Sequence, residues 1–226
     1  MKLTSVQLKM VMALILAVLF FAVTYSYLPK SSELPEMTVL EKKARFKTLI
    51  VPAIIDVHAE LMVQYQSVLL SIKSASDTDE IETLKLEYEV SSNEALLMAL
   101  KPHPKSVAIA QAAIESGWAT SRFFNDAYNI FGVWSFNEDE PRISALKQRG
   151  DKTIWLRKYP SVKASVSDYY HTLGTSDAFE QFRQLKMQTE DPFALVKKLN
   201  RYSEKGAEYG QELTSIIKFN HFDDYD

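Results

Sequence analysis

The sequence predicts a mainly helical protein with one small β-hairpin lobe, an α+β arrangement, preceded by an N-terminal membrane-spanning helix. Three observations carry this. Apolar residues recur at three- and four-residue steps over most of the chain. One stretch, residues 125–159, breaks that rhythm and holds two short alternating runs. An 18-residue uncharged, mostly apolar run occupies positions 11–28, near the lower limit of what crosses a bilayer of about 30 Å.

The elements follow in order. Lys2 and Lys9 precede the apolar run, and no acid occurs before residue 31. A basic flank before an apolar run reads as a signal or signal anchor. The stretch after Ala22 is a poor cleavage site, and Tyr25 and Tyr27 resemble interfacial aromatics, so residues 1–30 are expected to remain as an anchor with the body facing outward. Residues 31–100 are expected to form a helical extension packed on a catalytic domain of residues 101–226. Phe46, Ile50, Ile54, Val57, Leu61, Tyr65 and Val68 mark its stripe, and Pro52 is placed at a helix start. Ile81, Leu84 and Tyr88 suggest a short helix, and Ser91 with Glu94 resembles a capping box.

Pro104 opens an Ala-rich helix that stops at Gly117. The alternating runs Ile143–Lys147 and Thr153–Lys158 flank Gln148-Arg149-Gly150-Asp151 and predict the hairpin. Helices resume after Pro160, around Phe179–Leu185, from Asp191-Pro192, and around Tyr209–Ile217.

Composition removes several chemistries. There is no cysteine, so disulfides, thiolate metal sites and a Cys nucleophile are excluded. The formal charge of −3 argues against a nucleic-acid partner. His58, His103, His171 and His221 are too scattered for a helical metal pair, and the six glycines form no phosphate loop. Neither a metal nor a cofactor is expected.

Glu115 stands out. It lies in the last turn of the Ala-rich helix, where the helix dipole and nearby Ile114 and Trp118 disfavour its charged form. A raised carboxyl pKa suits a general acid; the alternative is a solvated Glu at a helix end. Trp118, Phe123, Phe124, Tyr128, Phe131 and Trp134 follow, interleaved with Asn125 and Asn129. Flat rings and amides suit a sugar cleft. On their own, Phe123 and Phe131 read as core, and Trp134 divides evenly between core and cleft.

The run AIAQAAIESGWATSRFFNDAYNIFGVW resembles the signature of the family-73 glycoside hydrolases, the bacterial β-N-acetylglucosaminidases. RKYPSVKASVSDYY and LNRYSEKGAEYGQELTSIIKFN resemble its later blocks, and the Ser203–Gly206 and Asn220–Phe222 segments resemble the Bax-like branch. The resemblance implies a lysozyme-like helical domain with a cleft, and cleavage after N-acetylglucosamine in peptidoglycan glycan strands. It implies Glu115 as general acid, Tyr202 facing the cleft as a second catalytic residue that positions the acetamido group or stabilises the oxocarbenium-like state, and Tyr128, Asn129 and Phe131 in the turn that lines it. Trp134 and Tyr209 are expected to bind substrate as well.

Two departures accompany it. Many members carry a second Glu on the hairpin, but Ile143–Lys147 holds no acid; the nearest carboxylates are Glu138, Asp139 and Glu140 before it and Asp151 at the turn, with Glu138 taken as the candidate second catalytic carboxylate and the substrate's acetamido oxygen as a substitute for one. Ala119 stands where glycine is usual. A lytic transglycosylase and a non-catalytic glycan-binding protein are the competing expectations. The location expected is the cell envelope, tethered to the inner membrane with the body outside.

Overall fold

The computed structural model describes residues 34–76, 78–149 and 152–226. Pro35–Asp226 form one compact unit. The expected anchor, residues 1–30, lies outside the described residues. Among those described, no helix is long and apolar enough to cross a membrane.

Ten helices are described: α1 Val39–Leu49, α2 Val51–Ser74, α3 Thr78–Glu87, α4 Asn93–Leu100, α5 Lys105–Glu115, α6 Arg122–Ala127, α7 Val162–Thr175, α8 Glu180–Lys186, α9 Pro192–Leu195 and α10 Ala207–Asn220. Strands β1 (Arg142–Arg149) and β2 (Lys152–Arg157) form the hairpin between α6 and α7. Short 3-10 turns follow α7, α9 and α10.

Local chemistry sets the helix ends. Thr38 caps α1 through the Glu41 amide, and the Glu41 carboxylate bonds back to the Thr38 amide. Pro52 sits in the first turn of α2, where its missing N–H leaves no bond unmade. Ser92, not Ser91, caps α4 by accepting from the Ala95 amide. Asp191 caps α9 ahead of Pro192.

Helix α5 runs through the centre. Every side chain from Ser106 to Ala113 is buried, and α2, α10 and the Phe222–Tyr225 turn pack against it. Its alanines are the reason neighbours approach on all sides. Phe46, Ile50 and Ile54 of the expected extension are fully buried in the same core as Ile109, Tyr169, Phe182 and Leu213. Burial of each such aliphatic or aromatic side chain contributes roughly 1.5–3 kcal/mol. Residues 35–100 are thus part of the fold around α5. A smaller cluster of Val68, Ile81, Leu84, Tyr88, Leu96 and Leu100 closes the far ends of α2, α3 and α4.

The hairpin pairs Arg142 with Arg157, Ile143 with Leu156 and Ser144 with Trp155, then shifts register before Gln148. Its turn residues 150–151 lie outside the description. Residues 133–135 run along the other edge of β2, through Arg157 N–H to the Val133 carbonyl and Ser135 N–H to the Trp155 carbonyl. Helix α6 was not foreseen. It spans only six residues, too few to show a helical period in sequence.

Candidate active site

Glu115 is the last residue of α5. The chain reverses just after it through three consecutive left-handed residues, Gly117 (φ +57°), Trp118 (φ +60°) and Ala119 (φ +63°). A left-handed backbone costs a side-chain-bearing residue about 1–2 kcal/mol, so the turn must be held. The Trp118 amide bonds to the Ala113 carbonyl and the Ser121 amide to that of Ser116. Ser116 Oγ accepts from the Ala119 amide at 2.9 Å. From α1, Arg45 donates to the Ala119 carbonyl at 3.2 Å. The turn leaves Glu115 half-buried rather than sealed.

One oxygen of the carboxyl, Oε1, accepts from Tyr209 Oη at 2.7 Å. Burial raises the Glu115 pKa; the Tyr209 hydrogen bond and the Lys205 charge lower it, and the Glu212 carboxylate raises it. The net shift is upward from the ordinary carboxylate value, with desolvation the main cause. Lys205 and Glu212 pair with each other at 2.6 Å.

Tyr209 reaches Glu115 because Gly210 lets α10 close on the backbone beside it. A Cβ at Gly210 would stand 2.9 Å from the Val196 carbonyl oxygen. The Tyr202 ring stacks parallel to Tyr209, centroids 5.7 Å apart. Its hydroxyl donates to the Phe131 carbonyl at 3.3 Å. Behind Tyr209 lie Gln111, Tyr169 and His103, all buried and hydrogen-bonded in sequence. None of these three was foreseen. The available signal was Gln111, a lone amide in an apolar helix one turn before Glu115 and on its face.

The structure gathers Glu115, Tyr202 and Tyr209, and it corrects several expectations. Tyr209 is buried and spent on Glu115 rather than free to bind substrate. Asn129 is 1% exposed; its amide bonds the Val133 carbonyl, the Arg157 carbonyl and the Val133 amide, so it clamps the turn from inside. Phe131 is buried, its ring stacked on Tyr169 with centroids 4.0 Å apart. Tyr202, the tyrosine expected in the catalytic set, packs on Tyr209 and is half-buried beside it. Asn125 is held by Arg45 at 2.9 Å and by the Ser121 carbonyl.

Two expected binding residues do reach the surface. Tyr128 is 44% exposed and Trp134 43% exposed, with Phe136 beside Trp134.

Two acids near the hairpin are paired with arginines. Glu138 is exposed and pairs with Arg142 at 3.4 Å. Glu140 pairs with Arg157 at 3.3 Å. Arg157 also pairs with Asp168 at 3.0 Å, and Tyr159 donates to Asp168 at 2.6 Å. No bond or ion pair ties Glu138 to Glu115 among the described residues. Among those residues no group of three or more acids and histidines could hold a metal ion. A cavity of about 200 Å³, lined by His58, Met62, Lys101, Lys105, Lys186 and Glu190, opens at the opposite end of α5. That end is about 15 Å from Glu115, at 1.5 Å per residue.

Over residues 95–222 the chain matches the glucosaminidase family model, described as mannosyl-glycoprotein endo-β-N-acetylglucosaminidase. It belongs to this family. The kinship read from the sequence, to family-73 glycoside hydrolases and their Bax-like branch, therefore holds. The glucosaminidase-family chain is 26% identical over 213 residues to protein bax of Escherichia coli K12, covering 84% of this chain and 76% of that protein. Its fold resembles the catalytic domain of the autolysin Auto from Listeria monocytogenes, with a TM-score of 0.52 at 19% identity. That likeness covers 85% of this chain and 91% of the other. It is a likeness of fold, and agrees with a mainly helical glucosaminidase domain carrying a two-stranded sheet.

Proposed function

We propose that this glucosaminidase-family protein is a peptidoglycan N-acetylglucosaminidase with Glu115 as its general acid. The observation that carries the reading is the state of Glu115. It is a half-buried carboxyl at an open helix end, with one oxygen held by Tyr209 and a pKa raised by burial. A carboxyl that keeps its proton above the usual range can give it to a leaving oxygen.

Glu115 protonates the glycosidic oxygen on the far side of an N-acetylglucosamine. The C1–O bond breaks, and its electron pair stays with that oxygen. The positive charge that develops at C1 needs a partner on the opposite face. The strand on which the family resemblance places a second acid reads Ile143-Ser144-Ala145-Leu146-Lys147 and holds none. The substrate's own acetamido oxygen supplies the partner and closes onto C1. Water then adds at C1, and the Glu115 carboxylate takes its proton back. Tyr209, donating to that carboxylate, stabilises it between the two steps. Trp134 and Tyr128 offer exposed rings for the sugar faces. The N-terminal apolar run would tether the domain beside an insoluble substrate and raise its local concentration.

A second reading, a lytic transglycosylase, is favoured by the same missing acid on β1, since that chemistry works with one carboxylate. Digestion of purified sacculi with the full chain, followed by mass spectrometry of the fragment ends, separates the two. A new reducing N-acetylglucosamine end supports the glucosaminidase. An anhydro-muramyl end supports the transglycosylase, and binding with no release removes both. The tether is checked by the N-terminus of the mature protein: a soluble form beginning near Tyr25 would contradict it.

A further inference from the structure

Four hydrogen bonds run through the core and end on Glu115. His103 Nε2 lies 2.9 Å from Tyr169 Oη. Tyr169 Oη donates to Gln111 Oε1 at 2.7 Å. Gln111 Nε2 donates to Tyr209 Oη at 3.2 Å. Tyr209 Oη donates to Glu115 Oε1 at 2.7 Å.

The direction of each bond follows from the inventory of protons. Tyr209 has one proton and spends it on Glu115, so its oxygen can only accept from the Gln111 amide nitrogen. The Gln111 carbonyl then faces Tyr169, which must donate. The Tyr169 oxygen is left as an acceptor, so His103 carries its proton on Nε2. All four side chains behind Glu115 are buried. Reversing the chain would mean turning the Gln111 amide over inside a closed core, flipping both tyrosine hydroxyls, and moving the Glu115 proton onto Oε1 to donate to Tyr209.

We propose that His103, Tyr169 and Gln111 are positioning residues for Glu115: their one-way chain keeps Oε1 an acceptor in both protonation states, so the transferable proton sits on Oε2. Its catalytic meaning rests on Glu115 being the general acid. The chain explains why α5, otherwise apolar along Val107–Ala113, buries an amide at Gln111, where an apolar side chain would pack at less desolvation cost.

It also explains His103. The imidazole is enclosed by the rings of Tyr170, Phe182 and Tyr169. Burial, with the Lys186 and His58 charges, holds its pKa well below the ordinary histidine value. A neutral imidazole has one N–H, and the chain uses it. The charged and titratable groups facing Glu115 are Tyr209, Glu212 and Lys205 from α10 and the turn before it, with Tyr202 and Tyr169 behind.

Two spectroscopic readouts test this on the full chain without requiring turnover. The first is the tautomer of His103 by 15N NMR, expected as neutral Nε2–H at about pH 6. The second is the titration midpoint of the Glu115 carboxyl, followed by 13C NMR. Tyr169→Phe removes a hydroxyl from the middle of the chain and leaves every group touching Glu115 in place. It weakens the polarisation of Tyr209, so the carboxylate loses support and the midpoint rises by a few tenths of a pH unit. Tyr209→Phe removes the donor itself and raises the midpoint further, by about one unit.

A proton on Nδ1, or an unmoved midpoint in folded Tyr169→Phe, overturns the proposal. If Tyr169→Phe does not fold, the wild-type tautomer still decides. A protein with the expected tautomer and midpoints that releases no sugar loses the glycosidase reading alone; an active protein with His103 protonated on Nδ1 loses the chain alone.

Discussion

The helical side of the site and its hairpin side use the same residue types for opposite purposes. Around Glu115, the aromatic hydroxyls point inward: Tyr209 bonds the carboxyl, and Tyr169 bonds Gln111. Around the hairpin, the rings of Tyr128, Trp134 and Phe136 face solvent. Carboxylates divide in the same way. Glu115 is half-buried, has a single neutral donor and a raised pKa. Glu138 and Glu140 are instead paired with arginines. A proton donor needs the first environment, and a grip on sugar faces needs the second. The proposed division is chemistry from the helices and contact from the hairpin side.

The comparison breaks most directly through its acids. Glu115→Gln keeps shape but cannot donate a proton, so the rate of glycan release should fall about a hundredfold or more. Glu138→Gln should change it by less than about threefold, because an exposed pair with Arg142 contributes little. Equal losses in the two variants, measured on the same sacculi, would return Glu138 to the chemistry.

Asn129 sharpens the same contrast. Its side chain serves three backbone groups, and alanine would strand them in a closed turn. A loss on the order of 2–4 kcal/mol in unfolding free energy is expected. Denaturant titration of Asn129→Ala would show it; weakened glycan binding with unchanged stability would instead make Asn129 a ligand-binding residue.

Asn129 also shows what the sequence could and could not yield. Helix starts at Pro52, Pro104 and Asp191-Pro192 were legible because proline and capping chemistry act within a turn. The hairpin was legible from alternation, and Glu115 from its place at a helix end. Burial was not legible. Nothing local distinguishes Asn129, closed inside a turn, from an amide that faces substrate, whereas Phe131, which on its own reads as core, is buried against Tyr169. The partners are far along the chain: Tyr169 is 58 residues from Gln111, and Tyr209 is 94 from Glu115. Such contacts arise from packing of α5, α7 and α10, which periodicity does not order.

On the hairpin side, Trp134→Ala should weaken glycan binding severalfold, since a stacked ring is worth about 0.5–1.5 kcal/mol. Stability should hold, because the ring is already exposed. A large drop in melting temperature would show that Trp134 anchors the 133–135 edge against β2 instead.

The smallest effect is expected at Ala119. Glycine there relieves a left-handed backbone worth about 1–2 kcal/mol. It also gives up a buried methyl worth about 0.8 kcal/mol and frees the unfolded chain by about 0.4–1 kcal/mol. These nearly cancel, so Ala119→Gly should leave stability within about 0.5 kcal/mol of wild type, and turnover unchanged. A loss of activity would mean that the turn after Glu115 tunes the carboxyl itself.

The pH dependence of kcat/KM for release of glycan fragments tests the central claim most directly. It reports the ionisation of the free enzyme's acid. Burial raises the Glu115 pKa, and the reaction needs the protonated form, so activity should be retained above the ordinary glutamate value of about 4.3 and lost only as pH climbs through the raised value. The descending limb should also move upward in Tyr209→Phe, which removes the donor that supports the carboxylate. A descending limb at or below about 4.3, or one unmoved by Tyr209→Phe, would contradict Glu115 as the proton donor.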